Sequence, residues 1–126
     1  MTNFKDVAKK AVSSSFIMAG RTERKNDEML AGFPNGFTIT GAECVPVTND
    51  DGTRGEMPVY TIKEDAKIFG KGGSALAKIF SEWVKDYNGD YESMSADLAN
   101  AGGVKVKLTV IRLKGGRNYT SVEVLD

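Results

Sequence analysis

The sequence predicts a mainly β protein of the α+β class: a five-stranded antiparallel barrel with a helical insertion between its third and fourth strands. An open antiparallel sheet with helices on one face is the alternative. Three observations lead there. Val104, Val106, Leu108 and Val110 alternate with Lys105, Lys107 and Thr109, the period of a half-buried strand. Thr120, Val122 and Val124 repeat that period after a Lys114-Gly115-Gly116 turn, which makes a hairpin. Ahead of it, Leu76, Ile79, Phe80, Trp83, Val84 and Tyr87 trace a wide apolar stripe at helical spacing.

From the N-terminus, residues 2–14 read as a short amphipathic helix, with Phe4, Val7, Ala8, Ala11 and Val12 on one side and Thr2 or Asn3 as cap. Phe16 to Ala19 reads as a short buried strand. Gly20 to Asn35 is polar and poorly periodic, a mobile loop with at most one helical turn near Glu28 to Ala31. Gly36 to Val47 alternates as a strand, and Gly41 marks a bulge or bend in it. Asn49-Asp50-Asp51-Gly52 is a turn, and Met57 to Glu64 is the next strand. Gly70 to Gly73 punctuates the chain before the striped helix, which Ser74 caps and Asn88-Gly89 ends. Asp90 to Ala101 forms a second helix with Met94, Leu98 and Ala101 inward and Gly102 as its stop.

The register of the final hairpin follows from placing both apolar sets on one face. Val110 then opposes Thr120, Leu108 opposes Val122, and Val106 opposes Val124. Lys107 faces Glu123 and Ile111 faces Tyr119 on the outer side. The turn needs a left-handed residue, which Gly116 supplies. A meander of three strands, then a helix, then a two-stranded hairpin is the chain order of an OB-fold barrel, with Phe80 and Trp83 plugging one end.

At 126 residues the chain is read as a single domain, residues 1–126, able to bury a core without disulfides or metal. No apolar run approaches a membrane span, no signal-peptide pattern is present at the N-terminus, and Cys44 is the lone cysteine, so a cytoplasmic location is expected. Basic and acidic residues balance at 17 each, so any affinity for a polyanion has to come from local charge.

The residues offer little chemistry. There is no histidine, which removes the commonest general base and metal ligand. Cys44 has no partner base and reads as a small hydrophobe. The Asn49–Gly52 turn lacks the spaced ligands and closing glutamate of a calcium loop. Gly70-Lys71-Gly72-Gly73-Ser74 at a helix start would suit an anion, but it lacks P-loop spacing and reads as a hinge or cap. No enzyme activity, cofactor or metal is expected.

The outer face of the hairpin is where charge gathers. Lys105, Lys107, Arg112, Lys114 and Arg117 offer phosphate contacts, and Tyr119 beside Ile111 offers a stacking surface, with Tyr60 a second stacker if it turns outward. A cationic track with aromatic faces is how single-stranded nucleic acid is held. The plain alternative is that lysines on an exposed strand only prevent edge pairing.

Pro58 to Glu64, the Ile79 to Gly89 helix, Gly102 to Lys107 and Gly116 to Val124 together resemble small single-stranded-DNA-binding-type proteins of tailed bacteriophages and related mobile elements. The resemblance covers roughly the C-terminal two-thirds of the chain and maps no fixed binding motif. It implies an OB-like fold and a non-catalytic role in replication or recombination, with single-stranded DNA as partner and no membrane. Two rival functions fit the mixed surface charge: a small phage protein that binds and inhibits a host enzyme or defence system, and a structural subunit of a virion or shell.

Overall fold

A computed structural model describes residues 15–48, 51–112, 114–116 and 118–125, with only the backbone described at Asn118 and Tyr119. The helix expected over residues 2–14 lies outside the described residues. The described elements run β1 (Thr22–Arg24), α1 (Asn26–Gly32), β2 (Phe37–Thr48), β3 (Arg54–Ile62), β4 (Ile68–Lys71), α2 (Ser74–Val84), a 3-10 turn (Lys85–Tyr87), α3 (Tyr91–Asn100), β5 (Val104–Arg112) and β6 (Asn118–Val124). The class is α+β and mostly strand. All the described strands join one curled sheet in the order β1-β4-β3-β2-β5-β6.

Six described strands replace the expected five, because one expected strand is not formed and two others, β1 and β4, are. Phe16 to Ala19 is not a strand but a turn. Its apolar residues cover the sheet instead of pairing with it. Ile17 packs on Val59 and Phe69, and Arg21 pins the turn by donating from Nη1 to the Phe16 and Ile17 carbonyls and from Nε to Ala66. The Gly20–Asn35 segment, expected as a loop, holds β1 and α1. β1 is short and polar because it is an edge strand, parallel to β4 from Thr22↔Ile68 to Arg24↔Gly70. α1 buries only Met29, so its sequence shows no stripe. The third strand of the meander is β4, within what reads from sequence as glycine punctuation. It occupies one edge of β3 and offers its own other edge to β1. That leaves β1 and β6 as the sheet's ends.

β3 lies between β4 and β2 and is buried from Pro58 through Ile62 without alternation. A strand covered on both faces gives that pattern. One face carries the main core of Phe37, Ile39, Ala42, Tyr60, Ile62, Leu76, Phe80 and Met94; the other carries the Ile17–Val59–Phe69 cluster. Across the main core runs an aromatic chain. Phe37 stacks on Tyr60 at 5.4 Å and 2°, Tyr60 and Phe80 meet in a T-shaped contact at 6.5 Å, and Phe80 leans on Trp83 at 5.5 Å. Phe80 is fully buried, whereas Trp83 keeps part of its surface exposed.

β2 is long because it serves two partners. Its start, Phe37–Ile39, pairs with β5, and the stretch from Ile39 to Thr48 pairs with β3 through a bulge at Thr40. The bend predicted at Gly41 is therefore real, displaced by one residue. Beyond Ile39 no described strand pairs with β2 on its β5 side, and α3 packs there. The Ser95 hydroxyl accepts from Ala42 N–H at 3.0 Å and donates to the Ala42 carbonyl at 3.0 Å, standing in for a ladder partner. At the other end of the bulge Glu64 accepts from Thr38 N–H and its hydroxyl.

The helices follow the sequence pattern closely. α2 buries Leu76, Phe80 and Val84, but its cap is Gly73, with Ser74 the first helical residue. Asp90 caps α3 by accepting from Ser93 N–H. Ala101, expected inward, is exposed at the helix end. Gly103, just before β5, has φ +79 and sits where a Cβ would lie 2.6 Å from the Ile39 carbonyl oxygen, so only glycine fits there.

Tyr60 Oη is buried with no hydrogen-bond partner among the described residues, and burial pushes its pKa up. An unpaired buried hydroxyl costs about 1–3 kcal/mol. Replacing Tyr60 with Phe is expected to keep the ring stack and raise the urea midpoint, by about 1 kcal/mol of stability. A lowered midpoint would mean that the hydroxyl is satisfied.

Candidate nucleic-acid interface

The β5–β6 hairpin forms with the register its alternation predicts, pair for pair: Val106↔Val124, Lys107↔Glu123, Leu108↔Val122, Val110↔Thr120 and Ile111↔Tyr119. Gly116 has φ +78, the left-handed conformation its place in the turn demands, and Gly115 shares it. Val106 and Leu108 are buried in the main core. Lys105 and Lys107 between them face the other way, Lys105 exposed and Lys107 half-buried. Neither forms an ion pair with a described residue, although Lys107 stands across from Glu123 in the ladder. The two charges are therefore available to solvent.

The remaining members of the basic set separate. Lys114 is exposed in the turn. Arg112 is exposed too, but strand alternation puts it on the Val110 side and not with Lys105 and Lys107, because an odd residue step reverses the face. Arg117 and the Tyr119 ring lie outside the described residues; the Tyr119 backbone pairs with Ile111 on the Lys105 side. Tyr60 is a correction. It is completely buried, clamped between Phe37 and Phe80, and cannot present its ring to a base. A polar tip on an aromatic residue in the middle of a strand marks neither face, and the double-sided burial of β3 decided it.

The distal part of the hairpin overhangs the core. Thr109 through Arg112 are all exposed, with Val110 at 42% and Ile111 at 45% although they point to opposite faces. Alternation in the sequence runs on past the point where the core ends, so it cannot show where burial stops.

The chain matches no family model, no curated protein and no solved structure.

Other fragments with chemical appeal are occupied. Lys71 of the glycine-rich fragment pairs with Glu23 across β4 and β1, so its charge is already partnered. Asp51 accepts from Thr53 N–H and from the Thr53 hydroxyl, at 3.0 and 2.6 Å, as a turn-forming aspartate does. Burial raises the Cys44 thiol above its ordinary pKa, and the Tyr91 hydroxyl offsets this only in part. Such a thiol stays protonated and unreactive near neutrality. Glu43 is likewise raised, first by burial, while the Ser15 hydrogen bond opposes the rise. Among the described residues no helix is long and apolar enough to cross a membrane, and no cluster of ligating side chains would hold a metal.

One surface has no clear signal in the sequence. Two shallow, adjoining depressions of about 440 and 470 Å³ share Trp83, Glu82 and Val104. The stripe of α2 places Trp83 in the core, yet its ring is only partly covered. Residues at the margin of a helical stripe cannot be assigned to core or surface by period alone.

Proposed function

We propose that the chain is a non-catalytic single-stranded-DNA-binding protein, of the kind used in phage replication or recombination, on an OB-like sheet. The order meander β2-β3-β4, helices, hairpin, with β5 returning to the start of β2, supports the OB-like reading. The observation that carries the function is the outer side of β5. Lys105 and Lys107 stand there with no ion-pair partner among the described residues, on a rigid strand whose other side is anchored by Val106 and Leu108. Fixed cations at alternate strand positions repeat about every 6.6 Å. That spacing is close to the phosphate repeat of an extended single strand, and Ile111 beside the Tyr119 position offers a surface for bases.

The test is fluorescence anisotropy with labelled oligo-dT at two salt concentrations. Replacing Lys105, Lys107 and Arg117 together by Ala is expected to weaken binding at low salt by at least tenfold. It should also reduce the slope of log K against log salt by about 2, since each single-strand phosphate that a cation neutralises adds about 0.7 to that slope. A wild-type protein that binds no oligonucleotide at low salt, or a triple variant with an unchanged slope, removes this reading.

A further inference from the structure

We propose that the groove beside Trp83 receives the tip of the β5–β6 hairpin from a second copy of the chain, in a head-to-tail contact. The groove has an apolar floor of Trp83, Ile79, Leu98 and Val104, with Val124 at its edge 54% exposed. Its rim is acidic. Glu82 is already paired with Lys85 at 2.8 Å, but Asp86 has no ion-pair partner among the described residues. Tyr87 Oη donates to Asp97 Oδ2 at 2.7 Å, which holds that carboxylate at the rim without neutralising it.

The hairpin tip is the converse surface. Val110 and Arg112 share one side of the overhang, both exposed, and Arg112 forms no ion pair with a described residue. A two-stranded ribbon with both faces in water is marginal by itself, so a partner on one face stabilises it. Docking Val110 on the apolar floor sets the Arg112 guanidinium against the Trp83 ring and the Asp86 and Asp97 carboxylates, a combination of cation–π contact and charge-assisted hydrogen bonding. The tip cannot reach its own groove. Val104 at the base of the same hairpin lines it, and Val110 lies about 20 Å further along the strand. The contact is therefore between copies, and it is heterologous, so it propagates into a ring or an open row. Lys105 and Lys107 point away from the docked side. The assembly thus stands apart from nucleic-acid binding and is tested without it.

Trp83 is the only tryptophan, so its emission reports on the groove directly. Sedimentation velocity and tryptophan emission are measured on the wild-type protein over one concentration series at low salt. The sedimentation coefficient and the emission maximum are expected to shift over the same concentrations. Arg112→Glu alone and Asp86→Lys alone should each weaken association by about tenfold or more, since each sets like charges together. The double variant Asp86→Lys/Arg112→Glu should restore it. Both positions are exposed, and far-UV circular dichroism confirms that each variant folds. A protein that stays monomeric at every concentration overturns the proposal. So does assembly that ignores both charge reversals with Trp83 emission unchanged, which is what pairing of two β6 edges would give. Loss of association in both single variants without recovery in the double variant overturns it as well.

Discussion

Gly70→Ala is expected to destabilise the fold by about 3 kcal/mol, lowering Tm by on the order of 12 °C. Gly70 lies directly opposite Tyr60 in the β3–β4 ladder, so the two share a face. A methyl group there would run into the Tyr60 ring, 2.6 Å from Cε2 and closer still to Cζ and Oη. The ring has little room to yield, because Phe37 is stacked on it and Phe80 packs against it in a T-shaped contact. The cost is steric and not conformational: Gly70 is not among the glycines with positive φ. Urea unfolding of Gly70→Ala measures it, and a double-mutant cycle with Tyr60→Leu assigns it. In the Tyr60→Leu background the alanine should cost less than about 1 kcal/mol, because the obstructing ring atoms are gone. An undiminished cost would place the clash elsewhere.

That close approach also explains why β4 is invisible in the sequence. A four-residue strand whose third residue must be glycine is too short to show alternation, and its Gly70 reads as a break. The same reason hides β1, which is polar because it is an edge, and α1, which buries one side chain. Where an element carries a full face of the core, the sequence states it plainly: the α2 stripe and the β5–β6 register are both legible residue by residue. Phe16 to Ala19 shows the converse failure. Its apolar run means burial, and burial is achieved by a turn laid over the sheet. Of the candidate site, the available side of Lys105 and Lys107 follows from period alone. The interior position of Tyr60 does not, because it depends on which strands flank β3. Arg112 changes sides by simple counting, a step that grouping residues by charge passes over.

The sheet's open order gives these placements a common cause. β1 occupies the edge of β4 that would otherwise be free, so β6 is left as an end strand and its hairpin extends past the core. The overhang bares Val110 and Arg112, and the same missing neighbour leaves Val124 and part of Trp83 uncovered. Both exposures thus lie at the β6 end of the sheet.

Replacing Ser95 with Ala is expected to cost about 2 kcal/mol, the effect of leaving a buried amide and carbonyl without partners. Ser95 is 7% exposed and its hydroxyl serves both the N–H and the carbonyl of Ala42, where β2 has left β5 and no described strand pairs on that side. Helix propensity works in the opposite direction, since alanine is the better helix former by several tenths of a kcal/mol, so a net loss points to the clasp itself. Hydrogen exchange at the Ala42 amide is the discriminating measurement. Its protection should fall by on the order of thirtyfold, matching about 2 kcal/mol. Freeing that edge also bares a length of β2 from Gly41 onward, and unpaired edges recruit other strands, so the variant should aggregate at concentrations the parent tolerates. If Ser95→Ala unfolds at the parent's urea midpoint with Ala42 still protected, α3 is held by its Met94 side alone and β2 does not depend on the hydroxyl.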